Sequence, residues 1–188
     1  IEGIKVEKER LLNLSLAYES HPDNITPAVM GGFNVASVHE NEVKFITKSI
    51  PRTLRAVVVV PNRPISTTLS RKTLPYKYSK EDTIFNISHS SLLTAAFMSE
   101  NWEMLKYASA DMVHQQFRMR HMPELFEVQK TALKNGALMS TLSGSGSTFF
   151  SVAYSEDSQK LELALKEKFP HFRVMSVDFD NNGVKIEI

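Results

Sequence analysis

The 188-residue chain contains no cysteine. That absence removes disulfide frameworks and thiolate zinc sites and fits a reducing compartment, so the sequence reads as cytoplasmic. A charge imbalance is also missing. The 22 Lys plus Arg face 21 Asp plus Glu and form no basic stripe, which argues against a nucleic-acid partner. The longest wholly apolar run is 56–60, far short of the roughly 20 residues that cross a bilayer, so no membrane span is expected. The Walker pattern G-x-x-x-x-G-K-[ST] occurs nowhere, no G-x-S-x-G elbow presents a nucleophilic serine, and the histidines show no H-E-x-x-H spacing. There is no internal repeat and no low-complexity tract. A small molecule or another protein remains as partner, on a chain long enough to bury a substantial core.

What is present begins abruptly. Ile1-Glu2-Gly3-Ile4 has no initiator Met, basic leader or apolar signal core, and reads as a cut with an upstream portion expected. An amphipathic helix follows, with Leu11, Leu14 and Tyr18 on one face and Glu7, Lys8 and Arg10 on the other. His21-Pro22-Asp23-Asn24 then opens a short apolar helix, with Asp23 or Asn24 expected to cap it and Gly31-Gly32 to end it. Phe33, Val35 and Val43, Phe45 flank His39-Glu40-Asn41-Glu42 as a hairpin. A boundary between about residues 49 and 54 gives expected domains of 1–52 and 53–188.

The second region starts with a buried strand at 56–60. Three helices are marked by Leu92, Leu93 and Ala96, by Leu105, Ala108 and Met112, and by Leu125, Val128 and Ala132. A strand near 148–153, a helix through Leu161 and Leu165, and a strand through Met175, Val177 and Phe179 follow. An Asn182-Gly183 turn is expected to lead into a last strand with Val184, Ile186 and Ile188 on one face. The class is α+β with a mainly antiparallel sheet.

Three segments offer chemistry, each with a plainer reading beside it. The glycine-rich stretch Gly144, Ser145, Gly146 and Ser147 has the small side chains and exposed N–H groups of an anion-binding nest, or is simply a turn. His21, Asp23 and Asn24 place polar groups at a positive helix terminus, where a substrate could be held or the helix merely capped. Arg71, Arg118 and Arg120 could clamp a carboxylate or phosphate, or be solvated cations.

The order of these segments resembles the homoserine kinases within the GHMP family of small-molecule kinases. The matching stretches are His21-Pro22-Asp23-Asn24-Ile25-Thr26-Pro27-Ala28 with Gly31-Gly32, residues 57–61, and Ser66-Thr67 followed by Arg71 and Leu74-Pro75. Phe85-Asn86, Phe117-Arg118 with Pro123, and Gly136-Ala137 leading to Ser143-Gly144-Ser145-Gly146-Ser147-Thr148 continue the match.

The resemblance implies two lobes, with residues 1–52 a remnant of the amino-terminal ATP-binding lobe and 53–188 a ferredoxin-like carboxy-terminal domain. The family's P-x-x-x-G-L-G-S-S phosphate loop is absent from these residues. By resemblance His21 and Asn24 contact L-homoserine, Asp23 supports them, and Arg71 and Arg118 bind the substrate carboxylate. Glu19 is the acidic Mg2+ ligand, ATP is the phosphoryl donor, and no general base is identified. Ser147 replaces the proline of the family's G-S-G-P-T loop. A homodimer is suggested. Another GHMP kinase, acting on mevalonate or a sugar, and a non-catalytic binding module with this fold stay open as alternatives.

Overall fold

The computed structural model describes residues 7–63, 70 and 72–185. Its chain divides into two compact units, one of Ile1–Pro51 with Phe179–Ile188 and the other of Arg52–Asp178.

The first unit holds helices α1 (Lys8–Ser15) and α2 (Pro22–Met30) and an antiparallel hairpin of β1 (Phe33–His39) and β2 (Glu42–Lys48). Its two-residue turn puts Glu40 and Asn41 at φ values of 49° and 63°, the left-handed pair whose twist matches that of the strands. Leu12, Val29 and Val43 form the core, with Leu11, Leu16, Ile25, Ala36 and Phe45 packed around them. The face expected for α1 is therefore corrected. Leu12 is the buried residue, whereas Leu14 and Tyr18 are exposed, because a run with leucine at 11, 12, 14 and 16 has no single apolar stripe and the core selects one.

The expected last strand is described only as far as residue 185. Residues 181–185 have no strand pairing, and Ile186 and Ile188 lie outside the described residues. Val184 instead packs on the Leu12 cluster and its N–H donates to the Val29 carbonyl (3.1 Å). Asn181 pins the same segment, its Oδ1 accepting from the Ile50 N–H (2.8 Å) and its Nδ2 donating to the Ile50 carbonyl (2.9 Å). A Cβ on Gly31 would lie 2.5 Å from the Asn181 carbonyl carbon, and one on Gly183 would strike the Val29 carbonyl oxygen. The Asn-Gly pair thus serves a close backbone approach, not a hairpin. The tail that the sequence assigns to the second domain belongs, by its contacts, to the first unit.

The second unit runs β3 (Leu54–Val60), α3 (Lys80–Ser99), α4 (Leu105–Ala108), α5 (Gln115–Met119), α6 (Glu124–Lys134), β4 (Met139–Leu142), β5 (Phe149–Tyr154), α7 (Ser155–Lys168) and β6 (Arg173–Val177). Its sheet has the order β4-β5-β3-β6, with every pairing antiparallel. Counted within the unit, that is strand order 2-3-1-4 on a β-α-β-β-α-β chain, the ferredoxin-like arrangement. Central β3 explains the apolar run at 56–60. Val57 and Val59 join Leu125, Val128, Phe149, Leu161 and Leu165 in the main core, while Leu54 and Ala56 on the opposite face are also buried. The helix read through Leu105, Ala108 and Met112 stops at Ala108, since the Asp111 side chain bonds to the main chain that follows it.

Candidate functional site

In the first unit, the candidate residues gather at the start of α2. His21 is the N-cap and Pro22 the first helical residue, so Asp23 and Asn24 stand inside the first turn and do not cap it as expected. No side chain caps this end. Pro27 has no N–H, which leaves the Asp23 carbonyl without its usual helical donor. Both side chains are exposed. Glu19 folds back on the turn, with Oε1 accepting the His21 N–H (3.1 Å) and lying 2.8 Å from His21 Nδ1. The result is a positive helix start that presents an amide, a carboxylate and an imidazole beside one another, a surface suited to a small zwitterion.

Among the described residues no group of three or more His, Cys, Asp or Glu is placed to hold a metal ion. Glu19, the magnesium ligand expected from the resemblance, would supply one hard-oxygen donor. That fits magnesium, which is commonly bound by one or two carboxylates and takes its remaining oxygens from phosphate and water.

In the second unit, the glycine-rich stretch is the connection between β4 and β5. Ser143 N–H donates to the Thr148 carbonyl and Gly146 N–H to the Ser143 carbonyl, both at 2.9 Å, so part of the expected nest is spent closing the turn. Gly144 and Gly146 have φ values of 55° and 87°, a conformation that favours glycine. The loop's carbonyls are held by donors from elsewhere in the unit. Arg118 Nη1 reaches the Gly144 oxygen (2.9 Å) and Ser70 Oγ the Ser145 oxygen (2.8 Å). Ser147, in the place of the family's proline, is buried and donates through Oγ to the Arg63 carbonyl (3.0 Å). Arg118 therefore stands beside the loop on α5, while Arg120 is exposed. Arg71 lies outside the described residues, as do Ser66 and Thr67.

Sequence reasoning gave no role to the groups that hold α5. Asp111 accepts from the N–H groups of His114 (2.9 Å) and Gln115 (2.6 Å), and from Asn86 Nδ2 (2.9 Å). Burial alone would raise the Asp111 carboxyl. The Asn86 amide, these backbone donors and the nearby His114 outweigh it and keep the carboxyl below its ordinary range. Burial, aided by the Arg118 charge, holds the His114 imidazole below its usual value against the pull of Asp111. The signal was an Asp just ahead of a helix start, a spacing that reads as a cap.

No helix among the described residues is long and apolar enough to cross a membrane. Residues 90–171 match the family described as GHMP kinases C terminal. The chain is 80% identical over 188 residues to the homoserine kinase of Aliarcobacter butzleri, covering 100% of this chain and 64% of that protein. It is 60% identical to the homoserine kinase of Nitratiruptor sp., over 98% of this chain and 63% of the relative. It thus spans less than two thirds of the length of these curated relatives. Its fold is similar to the crystal structure of homoserine kinase from Cytophaga hutchinsonii, with a TM-score of 0.88 at 24% identity over 96% of this chain and 61% of that one. A mevalonate kinase from L. major in complex with R-mevalonate is similar at a TM-score of 0.63 and 19% identity, over 93% of this chain and 60% of that one. With its ferredoxin-like strand order and its glycine loop, the second unit thus carries the carboxy-terminal domain of the GHMP kinases.

Proposed function

We propose that the protein transfers the γ-phosphoryl group of ATP to the side-chain hydroxyl of L-homoserine, giving O-phospho-L-homoserine for threonine biosynthesis in the cytoplasm. The observation that carries this reading is the 80% identity over 188 residues to a protein named homoserine kinase. The chemistry of the α2 start supports it.

Homoserine offers an ammonium, a carboxylate and a hydroxyl. In this reading His21 and Asn24 contact the substrate and Asp23 supports them, while Arg71 and Arg118 take the carboxylate. Glu19 is the magnesium ligand, and the glycine-rich loop is the anion-facing element of the carboxy-terminal domain. Residues 1–52 derive from the ATP-binding lobe, and the active protein is a homodimer. Phosphoryl transfer depends largely on positioning and on stabilising charge, so binding groups carry the catalysis without a dedicated base. Arg118 donates from Nη1 to the Gly144 carbonyl, which holds its guanidinium beside the glycine-rich loop. These 188 residues alone, without a P-x-x-x-G-L-G-S-S loop, are expected to bind ATP poorly and turn over nothing.

The test is homoserine-dependent ADP release by the complete reading frame, with mevalonate and galactose as comparison substrates. Activity on homoserine alone supports the reading. MgATP binding without turnover of any of the three reopens the substrate, and no ATP binding favours a non-catalytic module. Arg118→Ala should lower kcat/KM for homoserine at least about tenfold, the loss of a hydrogen bond to a charged group. An unchanged value sinks the assignment of Arg118.

A further inference from the structure

We propose that Asn86 and Asp111 are positioning residues that set the register of α5, and through it hold Arg118 and the glycine-rich loop in their working arrangement. The proposal rests on the kinase reading above for its functional consequence, and on geometry alone for the clamp.

Helix α5 has five residues, too few to hold its own shape in water. It carries two side chains that reach the β4–β5 connection. Gln115, itself buried, accepts the Leu142 N–H on Oε1 (2.9 Å) at the last residue of β4, and Arg118 binds the Gly144 carbonyl two residues further on. One short helix therefore grips the loop at its entry and at its first glycine. A displacement of α5 would release both hydrogen bonds together.

What fixes α5 lies at its other end. Asp111 spends all its acceptor capacity there. Oδ2 takes the His114 and Gln115 N–H groups, while Oδ1 takes Val113 N–H (3.2 Å) and Asn86 Nδ2. Asn86 completes the joint by accepting Met112 N–H on Oδ1 (2.8 Å), so its amide reads both a donor and an acceptor of the segment. Asn86 sits on the 20-residue α3, which gives the joint a rigid anchor. The chain of hydrogen bonds runs from α3 through Asn86 and Asp111 to α5, and from Gln115 and Arg118 to the loop.

The joint has a polarity that can be reversed. In Asp111→Asn one amide hydrogen pair must face a donor, either Asn86 Nδ2 or the N–H groups of α5. In Asn86→Asp two carboxylates meet at hydrogen-bond distance. Exchanging the two residues restores a donor against an acceptor, and the long hydrogen bond from Val113 N–H is the one bond that the exchange does not restore.

The experiment compares Asn86→Asp, Asp111→Asn and the double exchange in the complete protein by amide hydrogen exchange and steady-state kinetics. Each single variant should speed exchange of the Leu142 amide by at least about tenfold while Val57 and Val152 in the sheet centre stay unchanged. Each should raise KM for homoserine more than it lowers kcat. The double exchange should return both quantities to within about threefold of the parent. The clamp is refuted if Leu142 exchanges no faster in either single variant, if the sheet amides speed up in step with it, or if the double exchange rescues nothing. Selective exchange with an unchanged KM refutes the functional half of the proposal. A parent protein that releases no ADP with homoserine sinks the kinase reading instead, and the exchange data then decide the clamp by themselves.

Discussion

Replacing Asn181 by alanine should destabilise the first unit by about 2 kcal/mol, two hydrogen bonds removed at roughly 1 kcal/mol each. The Asn181 amide supplies both partners of the Ile50 main chain, and Ile50 is only 4% exposed, so neither group recovers a full water shell. Asn181→Asp separates the two interactions. Its carboxylate can still accept the Ile50 N–H, but the other oxygen faces the Ile50 carbonyl, which raises the pKa of the new group in the folded state. At neutral pH this variant should therefore be as unstable as the alanine variant. As pH falls through that raised pKa, the carboxyl gains a proton to donate and part of the loss returns. Urea unfolding followed by far-ultraviolet circular dichroism, run from pH 4 to 8, reads both effects. An alanine variant within about 0.5 kcal/mol of the parent, together with an aspartate variant that shows no recovery on acidification, would refute the reasoning.

Phe149→Ala should cost the second unit about 3–5 kcal/mol, because the ring is fully buried in the main core, and the fluorescence of Trp102 in the same unit reports the unfolding; a loss under about 1.5 kcal/mol would contradict that packing. Stability should also fall on acidification in two steps. His114, depressed when folded, contributes fully above its ordinary value near about 6.5 and loses that contribution as pH drops through it and toward the folded value. Asp111, also depressed, contributes above the ordinary carboxylate range and loses it as pH falls further. Asp111→Asn should abolish the lower step in a pH series of melting temperatures and deepen the upper one, since the carboxylate no longer favours the imidazolium.

Much of the second unit was legible because burial wrote it into the sequence. An apolar run at 56–60 is what a central strand covered on both faces requires, and Leu125, Val128 and Ala132 share a helical face because α6 packs on the sheet. The ends were less legible. Asn182-Gly183 has the local chemistry of a hairpin, yet only tertiary contact shows that Gly183 is small because the Val29 carbonyl lies against it. Leucines at 11, 12, 14 and 16 likewise leave the face of α1 open until Val29 and Val43 choose it. For the site, the motif match could place Arg118, the glycines and Asn86, but it gave no role to Gln115 or Asn86. Their roles rest on hydrogen bonds to Leu142, 27 residues on from Gln115, and to Asp111, 25 residues on from Asn86, and no local spacing encodes such pairs.

The tail that closes on Gly31 and Ile50 also orders events during synthesis. Residues 52–178 emerge as one continuous stretch and can fold as soon as β6 is available, whereas the hairpin and helices before them must wait for Asn181 and Val184, made more than a hundred residues later. A nascent chain with residues 52–178 outside the ribosome and Asn181 still inside it would therefore hold a folded ferredoxin-like unit while the first unit stays open. Emergence of residues 179–185 is the step that closes the first unit.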